Sequence, residues 1–340
     1  MPKSLQESLF EISESVEPVI RSLLVESVDP ANSRAVIYQC QSGGKRIRPA
    51  LVVLSGRLFG GDFKGLLHPA ASVEILHNST LIVDDMIDHA ETRRNQPTTW
   101  KKYGHSVAQC ITLDYLASVF YGLSRVKNGQ RIAELYADTL KTVVDGEFKD
   151  ILFERQGHED EPFIVEHRYK TITKNDYFQM IGQKTAALLQ ACCEAGAIYA
   201  GASNEQTKLV GQFGYNLGIA FQLRDDLLDI FGDESKFGKK IGKDIVEKKM
   251  GNYVILTAIE MLGPTDRCAA INVLEADKPV SDENIRMMIS LIRKTGAKRT
   301  VENAVEKYIG DALTILGKLP ENEFNEKLMK LAYYLADRKA

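Results

Sequence analysis

Leu9, Ile12, Val16, Ile20 and the pair Leu23/Leu24 recur at intervals of three and four residues. The stretch from Ser4 to Glu26 therefore predicts an amphipathic helix, which Pro18 is expected to kink or break. Similar spacing predicts a short helix over Ala31–Gln41 that stops at Gly43-Gly44, and another over Ile47–Phe59 that closes at Gly60-Gly61. Longer helices follow over Leu66–Ala90, His105–Lys127 and Gln130–Arg155, and a polar loop covers Gly157 to Pro162. A further helix starts after Thr173, an apolar one runs past Phe221, and four helical segments are expected from Tyr253 onward. Sustained apolar/polar alternation, the mark of strands, is missing, so the predicted class is all-α. At 340 residues the chain has room for two average domains or one large one. Continuous helical patterning favours a single domain over residues 1–340.

Two of these helices carry acids where the pattern calls for apolar residues. In Leu81-Ile82-Val83-Asp84-Asp85-Met86-Ile87-Asp88, Asp84 and Asp88 fall one turn apart on one face, Asp85 lies at its edge, and His77 stands on the same face two turns earlier. An isolated acidic helix face is usually only solvated. Here the spacing returns in Gln222-Leu223-Arg224-Asp225-Asp226-Leu227-Leu228-Asp229, where Gly218, Gln222, Asp225 and Asp229 share a face. If the two helices faced each other, six carboxylates at close range would oppose one another's ionisation. Hard divalent cations with oxygen ligands relieve that repulsion, and Mg²⁺ keeps places for phosphate oxygens.

Composition narrows the remaining classes. With 44% hydrophobic and 26% charged residues the chain is an ordinary globular one, and a net charge of −3 argues against nucleic acid as a partner. Five cysteines without CxxC or Cys/His spacing predict reduced thiols and a cytoplasmic setting, with neither a disulfide framework nor a zinc site. The N-terminal residues lack the apolar core of a signal peptide. The most membrane-like run, Ala186 to Ala202, is interrupted by Gln190 and Glu194, so no membrane span is expected.

Cations gather in Gly43-Gly44-Lys45-Arg46-Ile47-Arg48-Pro49, where glycines allow close approach of an anion and Lys and Arg supply phosphate donors. With the two acidic motifs and Arg93-Arg94-Asn95-Gln96-Pro97, the chain resembles the trans-isoprenyl diphosphate synthases of the polyprenyl synthetase family. The match runs in order from Gly43 to about Asn252 and more weakly beyond.

The resemblance implies a helical bundle around a central cavity, normally a homodimer, that joins isopentenyl diphosphate to an allylic diphosphate with Mg²⁺. Three ions per site are implied, with Mn²⁺ as a substitute. It implies metal ligands Asp84, Asp88, Asp225 and Asp229, and a catalytic set of Asp84, Asp85, Asp88, Lys184, Asp225 and Asp226. Lys45, Arg48, His77 and Arg94 would hold isopentenyl diphosphate, with Arg46 pointing elsewhere. Arg93, Lys184, Thr185, Gln222, Lys239 and Lys249 would hold the allylic diphosphate. Departures from the family pattern are Asn95 for glycine, Leu113 for glycine, Glu147 for glutamine, and Met250-Gly251-Asn252. Asn tolerates left-handed backbone better than most residues, so the turn at Asn95 is expected to survive.

Product length is expected to depend on Leu76, Ser79 and Thr80, one to two turns before Asp84. In the family, aromatic residues four or five positions before the first aspartate stop the chain early. Ser79 and Thr80 are small, which implies geranylgeranyl or a longer product, with a floor near Phe120 or Tyr121. Two rivals remain: a class I terpene cyclase or head-to-head synthase of the same fold, and a non-catalytic subunit of a heteromeric synthase. The first leaves the cationic set without a task, and the second should have lost site residues.

Overall fold

The computed structural model describes residues 4–154, 158–232, 241–248, 250–276 and 279–336. In chain order the helices are α1 (Leu5–Val25), α2 (Ser33–Val36), α3 (Tyr38–Gln41), α4 (Ile47–Leu58) and α5 (Phe63–Ile87). There follow the strands β1 (Thr92–Arg93) and β2 (Gln96–Pro97), then α6 (Thr99–Tyr103), α7 (His105–Ser124), α8 (Gly129–Leu152), α9 (Pro162–His167) and α10 (Lys174–Ile181). A π-helical turn, Gly182–Ala186, leads into α11 (Ala187–Ala200), α12 (Asn204–Phe231), α13 (Lys243–Val246) and α14 (Tyr253–Met261). The last are α15 (Pro264–Glu275), α16 (Asp282–Arg293), α17 (Ala297–Leu316) and α18 (Glu323–Ala336). The class is all-α, and among the described residues the only sheet is the β1–β2 pair.

Two expectations need revision. Of the kink or break expected at Pro18 the break does not occur, since α1 runs unbroken from Leu5 to Val25. Ser4 and Glu7 close a reciprocal cap at its start, and Ile12, Val16, Ile20 and Leu24 are all buried. At ~1.5–3 kcal/mol per buried apolar side chain, that stripe outweighs the ~3 kcal/mol cost of an internal proline. From Tyr253 onward the described residues form five helices, α14 to α18, where four segments were expected. Only Leu262 and Gly263 separate α14 from α15, and Pro264 starts the second at a position that needs no N–H donor.

The chain divides into two compact units. The first comprises Met1–Asp138, Leu189–Gln212 and Ile315–Leu331. Its centre is α5, against which α1, α4 and α7 pack. Every residue from Ala70 to Leu76 is buried, because helices cover that stretch from several sides rather than along one stripe. The second unit comprises Thr139–Leu188, Phe213–Thr314 and Ala332–Ala340. Within it α14, α15 and α16 pack on one another and α10 packs on α14. Tyr177, Phe178 and Tyr253 form an aromatic cluster there, with ring centroids 5.0–5.4 Å apart.

No helix among the described residues is long and apolar enough to cross a membrane. All five cysteines are free; Cys40, Cys192 and Cys193 are buried, Cys110 and Cys268 exposed.

Candidate active site

In the first unit α5 ends at its acids. Asp84 lies in the last turn and Asp88 is the C-cap residue, its N–H donating to the Asp84 carbonyl at 2.9 Å. The chain then doubles back through the β1–β2 hairpin, whose two-residue loop is Arg94-Asn95 with φ of +52° and +62°. Positive φ at both central residues is the geometry that follows the twist of a tight hairpin, so the asparagine does preserve the turn. The Thr98 hydroxyl and the Trp100 ring N–H both donate to the Ala90 carbonyl, tying the hairpin to the end of α5. Arg93 is thereby returned to the acids. Its Nε donates to Asp85 at 2.8 Å and its Nη2 to Asp84 at 3.0 Å.

Asp85 is almost fully buried, and its second oxygen, Oδ2, has no hydrogen-bond partner among the described residues. Burial pushes its pKa up to about 6 despite Arg93, and the charges of Asp84 and Asp88 add to the rise. Carboxylates so placed fit a hard divalent cation.

The cationic motif lies in the same unit. Gly43 and Gly44 take φ of +84° and +149°, and Arg46 is left-handed at +47° as the residue preceding α4. Lys45 is exposed, whereas Arg46 turns inward and is 4% exposed. Arg46 does point elsewhere: it binds Glu17, Glu74 and the Cys40 carbonyl. Burial, then the charges of Arg48, Arg94, Arg93 and Arg46, hold the His77 imidazole well below its ordinary pKa. His77 is therefore a neutral hydrogen-bonding group at pH 7. Arg48 and Arg94 are thus near enough to His77 for their charges to act on it.

Leu76 and Ser79 are buried at 3% and 2% exposure, with the Ser79 hydroxyl donating to the Leu76 carbonyl and the Thr80 hydroxyl to the His77 carbonyl. Phe120 and Tyr121, expected as a cavity floor, are instead 63% and 40% exposed. They sit on the outer face of α7, where one residue's offset in the wheel decides between core and solvent. Leu113 on the same face is 68% exposed.

In the second unit Lys184 and Thr185 stand on the π-helical turn. A Cβ at Gly146 would come within 2.4 Å of the Lys184 backbone nitrogen, so only glycine lets α8 approach this turn. Lys184 Nζ lies 2.8 Å from Glu147 and 2.6 Å from Asp150. Thr185 donates to Gln222 at 3.1 Å, and Gln222 donates to Asp226 at 3.2 Å. Close helix packing explains Gly218: a Cβ there would stand 2.5 Å from the Ala186 Cα.

Asp226 is a buried acceptor rather than an exposed acid. The Tyr177 hydroxyl and the Tyr253 N–H reach one oxygen at 2.8 and 2.7 Å, and Gln222 reaches the other. Asp229 accepts from the N–H groups of Lys243 and Asp244 at 2.9 and 3.2 Å. Burial and the nearby Asp244 push its pKa up to about 7. Asp225 stands one turn before Asp229 on α12. Lys239 and Lys249 lie outside the described residues. Among the described residues no three His, Cys, Asp or Glu side chains are already gathered as a metal site.

Three acids escaped the sequence reasoning, Glu74, Asp150 and Asp244, while Glu147 stood out there only as a departure from the family pattern and not as an ion-pair partner.

The polyprenyl synthetase family model matches residues 30–292. The geranylgeranyl diphosphate synthase of Sulfolobus acidocaldarius is 33% identical over 335 residues, covering 96% of this chain and 95% of that protein. The heptaprenyl diphosphate synthase component 2 of Geobacillus stearothermophilus is 31% identical, covering 98% and 97%. In three dimensions the chain is similar to the polyprenyl synthase from Caulobacter crescentus CB15 complexed with calcium and isoprenyl diphosphate. The TM-score is 0.86 at 26% identity, with 100% and 99% of the two chains covered. The chain belongs to the polyprenyl synthetase family and is a prenyltransferase.

Proposed function

We propose that this protein condenses isopentenyl diphosphate head-to-tail (1'-4) with an allylic diphosphate, giving an all-trans polyprenyl diphosphate of geranylgeranyl length or longer. The observation that carries this is the gathering of Arg48, Arg93 and Arg94 around a neutral His77. A cyclase, which takes a single diphosphate, has no use for that second cationic set.

Mg²⁺ is the proposed cofactor, with Asp84, Asp88, Asp225 and Asp229 as its ligands, three ions per site and Mn²⁺ as a substitute. Bound Mg²⁺ would draw charge from the departing diphosphate. Arg48, Arg94 and Lys45 hold the isopentenyl diphosphate, and His77 adds a neutral hydrogen bond. Lys184 and Thr185 hold the allylic diphosphate, with Arg93 beside Asp84 and Asp85, and by family resemblance Lys239 and Lys249 contribute charge to the same group. The allylic C–O bond breaks with its electron pair leaving on diphosphate, the isopentenyl double bond attacks the resulting allylic cation, and transfer of a proton to the departed diphosphate restores an alkene. No side-chain nucleophile is required. Asp226 serves as a post, fixing Gln222 and Tyr253 rather than touching substrate.

The chain is proposed to act as one domain, in the cytoplasm and as a homodimer. Val107, Leu113, Phe120 and Tyr121 are exposed along one side of α7, an apolar face suited to an isologous contact with a second copy. A heteromeric assembly is the alternative, because two relatives are named as a component of a heptaprenyl synthase.

The test is an assay of the purified chain with isopentenyl diphosphate and an allylic primer, resolving product length, with mass measured in parallel. Chain-extended diphosphates from the chain alone are expected. Release of inorganic diphosphate or cyclised hydrocarbon without use of isopentenyl diphosphate would overturn the proposal.

A further inference from the structure

Glu74 lies on α5, three residues before His77, and is 4% exposed. One of its oxygens accepts from Arg46 Nη1 at 2.8 Å and from Asn78 Nδ2 at 3.3 Å. Arg46 is equally buried, and its remaining donors go to Glu17 at 2.5 Å and the Cys40 carbonyl at 2.7 Å. A left-handed backbone is unfavourable for arginine. Arg46 holds φ of +47° because three acceptors on separate parts of the unit fix its guanidinium.

Gly44 shows what lies next to this cluster. A Cβ built there would stand 3.0 Å from Arg94 Nη1 and 3.3 Å from Arg46 Nη1, so the two guanidinium groups flank one glycine. After burial, the Glu74 charge is the largest influence on the pKa of Arg94, and Arg46 opposes it. Two cations therefore stand near one buried carboxylate, and one of them holds it. A buried carboxylate deprived of its cation carries a large desolvation penalty and recruits whatever cation is within reach; here that is Arg94.

We propose that Arg46 is a positioning residue. By occupying Glu74 it prevents that carboxylate from capturing Arg94, and so leaves the Arg94 guanidinium to the isopentenyl diphosphate. This rests on the assignment of Arg94 to that substrate under the proposed function.

The experiment measures KM for isopentenyl diphosphate and for the allylic primer, with thermal melting, in four chains: wild type, Arg94→Gln, Arg46→Met, and Arg46→Met with Glu74→Gln. Arg94→Gln and Arg46→Met should each raise the isopentenyl KM by about tenfold or more while the primer KM stays within about twofold. The double variant, which has no carboxylate to capture Arg94, should return the isopentenyl KM to within about threefold of wild type. A purely structural role predicts a double variant at least as impaired as the single one, and that result overturns the inference. So does an unchanged isopentenyl KM in Arg46→Met when Arg94→Gln is impaired. An unchanged KM in Arg94→Gln refutes instead the assignment of Arg94, and the inference with it. Should Arg46→Met not melt cooperatively, Arg46→Lys replaces it with the opposite expectation. Its retained charge keeps the isopentenyl KM within about threefold, and a rise of about tenfold with a wild-type melt overturns the inference.

Discussion

Lys184 Nζ lies 2.8 Å from the Glu147 carboxylate, and Asp150 holds the same ammonium from 2.6 Å. Two carboxylates around one lysine leave the local charge negative. An incoming diphosphate must either displace them or share the cation. Glu147→Gln keeps size and hydrogen bonding while removing one negative charge. It should lower the KM for the allylic diphosphate about three- to tenfold, an effect of ~0.7–1.4 kcal/mol, and make inorganic diphosphate a tighter inhibitor. A higher allylic KM in Glu147→Gln would show that the carboxylate aids binding, against this expectation.

That pairing was invisible in the sequence, and the reason is general. Asp84 with Asp88 and Asp225 with Asp229 are local relations, set by 3.6 residues per turn, so they are legible from spacing alone. The left-handed turn at Asn95 was legible for the same reason: its cause lies within four residues. Lys184 and Glu147 stand 37 positions apart, and Arg46 and Glu74 28. Which acid meets which base is decided by packing, here by Gly146 admitting the Lys184 backbone. Pro18 leaves α1 unbroken for a related reason, since its penalty is local and the burial that overrides it is not. Phe120 and Tyr121 are large and apolar, which says they avoid water but not which surface will cover them.

Removing either acid helix from metal binding should be nearly complete in its effect. Under the proposed assignment Asp84→Asn and Asp225→Asn each delete one hard oxygen ligand, leaving each helix to supply a smaller part of the coordination sphere. Turnover should fall by several orders of magnitude in both variants while circular dichroism shows helix content unchanged. Wild-type turnover at ordinary Mg²⁺ in either one would remove that helix from the site.

Metal-free protein should lose stability as pH rises. Burial raises the folded pKa values of Asp85 and Asp229 to about 6 and about 7, from the ordinary aspartate value of 3.8. Below 3.8 both states are protonated and the groups contribute no difference. Between 3.8 and the folded value the native state keeps a proton that the unfolded chain has lost, so stability falls with rising pH, by up to ~1.4 kcal/mol per pH unit per group. The measurement is the melting temperature in chelator from pH 5 to pH 8, beside Asp85→Asn. Wild type should decline more steeply than the variant between pH 5 and 6, and Mg²⁺ should recover most of the loss at pH 8. Parallel curves for the two proteins would rule out Asp85 as a contributor.

Product length should respond to the helix one turn above Asp84. Ser79 is buried, and its hydroxyl is turned back onto the Leu76 carbonyl, so the side chain presents little bulk. Thr80 is likewise bonded to its own helix, at the His77 carbonyl. Relatives at similar identity are named for geranylgeranyl, geranylfarnesyl and heptaprenyl products, so family membership alone leaves length open and local volume must decide it. Replacing serine by phenylalanine adds an aromatic ring at a site with 2% exposure. Overpacking of that kind costs about 1–3 kcal/mol, so Ser79→Phe should melt lower than wild type, whereas part-buried Thr80→Phe should melt close to it. Both should shorten the main product by at least one isoprene unit, because the ring takes space the growing tail would otherwise fill. Chromatography of dephosphorylated products from the two variants decides the matter: an unchanged distribution in Thr80→Phe with a wild-type melt, together with an unchanged one in Ser79→Phe, places the tail elsewhere.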